Sequence, residues 1–97
     1  MFYEKTILLD GNNSYFPSFL NTLDNKVQMI KILESSGLKF KEIGFHFRLD
    51  FKSNVMIIYH AKSSQIYQMY KFIEFKNIND INAFLEDIYA SVKFALL

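Results

Sequence analysis

The chain has neither cysteine nor tryptophan among its 97 residues, and it has one proline, three glycines and a single arginine. Without cysteine there are no disulfides and no thiolate metal sites, and a reducing compartment is the default expectation. Three scattered glycines cannot build a phosphate-cradling loop, and no GxGxxG or P-loop pattern occurs. An excess of one charge is missing too. Eleven bases against ten acids leave a net charge of +1, so no field gathers nucleic acid or an anionic membrane. No apolar run is long enough to cross a bilayer. The run Ile7-Leu8-Leu9 follows no basic n-region and is too short for a signal core. The expectation is a soluble, cytoplasmic protein that makes no membrane contact.

What is present is apolar and aromatic. Half of the residues are hydrophobic and 18% are aromatic, enough for a single folded domain over residues 1–97 rather than a disordered chain. Lys, Phe, Tyr, Asn and Ile supply 46 of the 97 residues. Their A/T-rich codons suggest a low-GC bacterium or its phage.

Periodicity gives the element order. Residues 2–9 read as a strand, followed by the turn signal Asp10-Gly11. Helix is expected from about Leu23 to Ser36, capped by Thr22 or Asp24 and stopped by Gly37, with Leu23, Val27, Ile30 and Leu33 buried and Met29 at the edge. Strands are expected over 39–51, 54–61 and 66–76. The third also fits helical spacing, and its Ile, Tyr and Phe content favours strand. A last helix runs from about Asp80 to Phe94, capped by Asn77 or Asn79. Its main stripe is Ile81, Phe84, Leu85, Ile88, Val92 and Leu96, and a weaker one is Ala83, Ala90, Phe94 and Leu97. The fold class is therefore α+β: a largely antiparallel sheet of about four strands with two helices, in the order β-(turn)-α-β-β-β-α.

The simplest hairpin registers put Ile43, Phe45, Phe47, Leu49, Met56, Ile58, His60, Tyr67, Met69, Ile73 and Phe75 on one sheet face. The other face then carries His46, Arg48, Asp50, Val55, Ile57, Tyr59, Ile66, Gln68, Tyr70 and Phe72. A single bulge would exchange residues between the faces. Left open, the second face is an apolar patch with a polar margin, the usual look of an association surface.

Catalytic signals are weak. His46 and His60 fall on opposite faces and no third nitrogen or sulfur ligand exists, so no metal or other cofactor is expected. Ser63 and Ser64 sit in a turn, where backbone hydrogen bonding is their common role. The expected function is a small non-enzymatic protein-binding module acting through the second face, with a homodimer as the expected state and another protein, of unknown identity, as partner. Partner-binding residues would be His46, Arg48, Tyr59, Gln68 and Tyr70, with Phe94 and Leu97 on the last helix. A phage or mobile-element inhibitor or an immunity-type protein is the suggested setting. One alternative is a sheet face that binds single-stranded nucleic acid, which the low net charge opposes. A second is a small enzyme using His46 or His60.

Overall fold

The computed structural model describes residues 17–51, 53–72 and 75–97. Among them the order is a short 3-10 helix (Ser18–Asn21), α1 (Leu23–Glu42), β1 (Phe45–Asp50), β2 (Val55–His60), β3 (Ile66–Lys71) and α2 (Ile78–Ala95). The strands form one antiparallel sheet in the order β1-β2-β3. The fold class is α+β; the described residues contain two α-helices and three strands, where about four strands were expected over the whole chain. The strand expected over residues 2–9 and the turn after it lie outside the described residues.

Helix α1 starts where Thr22 Oγ1 accepts the Asn25 amide at 3.3 Å, relieving one of the orphan donors of the first turn. The Asn25 side-chain amide donates to the Phe19 carbonyl at 2.6 Å, tying the 3-10 helix, with its buried Leu20, to α1. The helix does not stop at Gly37, which is buried in its interior. Good helix formers follow it, and Phe40 completes a buried stripe of Met29, Leu33, Gly37 and Phe40. That stripe lies about a quarter-turn from the expected one. Leu23, 70% exposed, and Val27 fall outside it, and Met29 stands in it. The left-handed residue that ends the helix is Gly44, at φ +88, whose N–H donates to the Lys41 carbonyl at 3.0 Å. The first strand therefore begins at Phe45, not at residue 39.

Both hairpins turn through a left-handed residue, Asn54 at φ 55 and Ser64 at φ 59. In the first, Asp50 Oδ1 accepts the Ser53 amide at 3.2 Å. The second is closed by His60 N–H to the Gln65 carbonyl at 2.8 Å and Ser64 N–H to the His60 carbonyl at 2.9 Å. Residues 66–71 are strand, so β propensity prevails over the ambiguous spacing there, although the strand ends five residues earlier than expected.

Helix α2 is capped by Asn77, whose Oδ1 accepts the Asp80 amide at 3.1 Å, while Asp80 Oδ2 accepts the Lys76 amide at 2.9 Å. Ile81, Leu85, Ile88 and Val92 form its buried stripe. Both helices stack on one side of the sheet. Their buried residues join Phe45, Phe47, Leu49, Met56 and Ile58 in one core. Phe40 carries the junction, edge-on to Phe47 at 5.1 Å and to Tyr89 at 5.5 Å. Phe72 does the same at the other end, against Phe51, Phe75 and Phe84.

Candidate interaction surface

The sheet has an inner face, under the helices, and an outer face. On β1 and β2 the expected division holds. Phe45, Phe47 and Leu49 are buried inward, and His46, Arg48 and Asp50 point outward. His46 stands opposite Tyr59, with ring centroids 5.9 Å apart, and Arg48 stands opposite Ile57. Three of the residues singled out from sequence, His46, Arg48 and Tyr59, thus share one patch of the outer face.

On β3 the expected division holds at Ile66 and Tyr67 and is reversed from Gln68 to Tyr70. Gln68 pairs with Ile58 and Tyr70 with Met56, which puts both on the inner face, and Met69 pairs with Ile57 on the outer face. A register shift between Ile58 and Tyr59 then opposes Tyr59 to Ile66, leaving Tyr67 as the extra residue. Gln68 and Tyr70 therefore do not join His46, Arg48 and Tyr59. The pairs beside the hairpin turn keep the simplest register, and the bulge at Tyr67 shifts the rest of the strand by one residue. Sequence alternation alone carries no signal for where such a shift falls.

Two residues of this strand were not singled out for binding: Ile66, which the alternation placed on the outer face, and Met69, which it placed on the inner one. Ile66 is 60% and Met69 52% exposed, on the outer face beside Ile57 and Tyr59. At the inner end of β3, Tyr67 joins Phe45 and His60 in a three-ring cluster, with centroids 5.0 Å (Phe45–Tyr67), 5.0 Å (Phe45–His60) and 5.7 Å (His60–Tyr67) apart. Burial, and secondarily the Tyr67 phenol, raises the Tyr70 phenol above its ordinary value of 10.0.

No family model, curated protein or solved structure matches the chain.

Among the described residues no group of three or more His, Asp or Glu side chains is placed to hold a metal ion, and no helix is long and apolar enough to cross a membrane. His46 and His60 point to opposite faces, each against aromatic rings. Phe94 and Leu97, 77% and 98% exposed, lie at the far end of α2. Ala83 and Ala90 are exposed with them, so the weaker apolar stripe of that helix faces away from the core.

Proposed function

We propose that this chain is a non-enzymatic protein-binding module whose working surface is β3 and the outer face beside it. The observation that carries the reading is the exposure of Ile66 and Met69 on β3, an edge strand among the described residues, next to half-buried Ile57 and Tyr59. Water-exposed aliphatic side chains gathered on one strand, with Arg48 and Lys71 at the margin, have the make-up of an association patch with a polar rim. His46, Arg48 and Tyr59 extend it across the sheet, and Phe94 and Leu97 offer a second apolar spot on α2. The absence of cysteine suits a reducing compartment, and a phage or mobile-element inhibitor or an immunity-type protein remains the proposed setting.

The nucleic-acid alternative draws less support. Its platform needed Tyr59 and Tyr70 on the same face, and the register separates them. An enzyme using either histidine would need a polar group beside the ring. His60 packs against the rings of Phe45 and Tyr67 on the inner face and His46 lies beside Tyr59 on the outer one, so the two histidines do not converge on one site.

A photo-crosslinking residue at position 66, in the full chain exposed to extract of its native host, tests the reading. The expected result is a discrete adduct, at twice the mass of the chain or at its mass plus that of another protein. Absence of any discrete adduct removes the proposal.

A further inference from the structure

Two hydrogen bonds pin the ends of β3 against β2. The His60 N–H donates to the Gln65 carbonyl at the hairpin, and the Phe72 N–H donates to the Asn54 carbonyl at the far end. Between these pins, residues 55–59 of β2 face residues 66–71 of β3, five positions against six. One residue of β3 is therefore surplus, and a bulge between the pins is obligatory. Its position is a separate matter. Here the extra residue is Tyr67, so Gln68, Met69 and Tyr70 oppose Ile58, Ile57 and Met56. Were Lys71 the extra residue, Gln68, Met69 and Tyr70 would instead oppose Ile57, Met56 and Val55, and both pins would stand unchanged.

Little in the packing selects one arrangement over the other. Register is held firmly where one face of a strand is buried and the other is wet, whereas every residue of β3 except Tyr70 is exposed. Tyr67 packs on Phe45 and His60 from the inner side, at 5.0 and 5.7 Å, the side it also takes in the second arrangement. Moving the bulge withdraws half-buried Tyr70 from the inner face and puts Met69 there, opposite Met56. It also turns Gln68, an amide exposed on the inner side, outward to water. Lys71 is exposed and loses no burial as the extra residue. Phe72, buried against Phe51, Phe75 and Phe84, keeps its place.

We infer that β3 exchanges between these two registers, the bulge passing between Tyr67 and Lys71 while Ile66 and Phe72 stay in place. The outer face then has two compositions. In the described register it shows Met69 beside Ile57. In the other it shows Gln68 and Tyr70 on the same face as His46, Arg48 and Tyr59. A partner that engages only one of these compositions draws the population toward it. That use rests on the protein-binding reading above, whereas the exchange itself does not. Because the inner face trades one large side chain for another, the minor register is expected in about 0.1–10% of molecules.

The chain has no cysteine, so introduced pairs report the registers directly. Both pins place Ile57 in a pair without mutual hydrogen bonds, the kind with the closer side chains. Ile57→Cys with Met69→Cys sets two thiols face to face on the outer side in the described register. Ile57→Cys with Gln68→Cys does so only in the other, since residues pointing to opposite faces cannot be bridged. Tyr59→Cys with Tyr67→Cys lie on opposite faces in both registers, and this control pair reports opening of the hairpin alone. Equilibrating the full chain with a glutathione redox buffer gives the closure constant of each pair, which scales with the population of the register that aligns it. The Met69 pair is expected to close most strongly, the Gln68 pair about ten- to a thousandfold less, and the control pair more weakly still. A Gln68 pair that closes no better than the control overturns the inference. Circular dichroism checks that each reduced variant is folded. For one that is not, relaxation dispersion on the wild-type chain decides: exchange at the amides of residues 68–70 upholds the inference, and flat profiles there overturn it. The crosslinker at position 66 reads the binding proposal separately, because Ile66 faces outward in both registers.

Discussion

Strands β2 and β3 are six residues long, neighbours in the sheet and both built mainly of aliphatic and aromatic side chains, yet one is core and the other is surface. On β2, Val55, Met56 and Ile58 are buried, whereas on β3 every residue except Tyr70 is exposed. The difference lies in what surrounds each strand. β2 has a strand on either side and the helix layer above it. β3 has one strand partner among the described residues, and the helices leave its inner face half open. Hydrophobic stabilisation follows the area removed from water, so similar compositions contribute very differently.

The same residue type on the two strands gives the strongest way to break that comparison. Ile58→Ala, at a fully buried position, is expected to cost about 2–5 kcal/mol, a large share of the roughly 5–15 kcal/mol of a typical domain. Ile66→Ala is expected to change stability by less than about 0.5 kcal/mol. Urea unfolding of both variants measures the gap, and equal losses would mean that β3 is as buried as β2. Next in size is Gly44→Ala. The left-handed backbone there would strain any side chain by about 1–2 kcal/mol, with no steric clash to add, since a Cβ at this position meets nothing within 4 Å. Because the Gly44 carbonyl accepts the Ala61 N–H at 3.0 Å, the strain is expected to loosen the end of β2 as well. Faster amide exchange at Ala61 than at Ile58 would show it.

The smallest effect comes from the inner face of β3. Burial raises the Tyr70 phenol above 10.0, so the fold favours the neutral form. The associated stability is complete below the ordinary tyrosine value and is lost as pH rises through about 10 and beyond. Tyr70→Phe is expected to flatten the loss of stability in that alkaline range while leaving neutral pH little changed, as thermal unfolding across the range would show. An unaltered alkaline slope would place Tyr70 in open water, like its neighbours on the strand.

Much of the architecture was legible because its signals are local. Thr22 and Asn77 cap helices as small polar residues do, the stripe of α2 has clean 3.6 spacing, and the alternation Phe45-His46-Phe47-Arg48-Leu49 fixes the faces of β1. The misplaced features depend on non-local choices. Gly37 carries a stop signal, but the helix runs through it because Phe40 finds Phe47 and Tyr89, contacts that only the assembled fold provides. Gly44, a few residues on, was the true end. The candidate surface was half legible: His46, Arg48 and Tyr59 come together as expected. Gln68 and Tyr70 do not, because a one-residue change of register moves every side chain to the opposite face, and hydrophobicity on both sides of β3 left the pattern without a preference.

Among the described residues each strand pairs with its neighbour in sequence, and this has a kinetic consequence. Two short turns assemble the whole described sheet from local contacts, the kind that close quickly. Among the described residues the closure that brings the most distant elements together is α1 against α2, where Phe40 meets Tyr89. The sheet with α1 is therefore expected to form in the folding transition state and α2 to dock afterwards. Ile58→Val would then slow folding, and Tyr89→Leu would instead speed unfolding. Chevron plots of the two variants would reveal the reverse order if α2 docked first. Were the expected order found, the last helix would also be the first part to let go, detaching Phe94 and Leu97 together with the α2 half of the core while the meander persists.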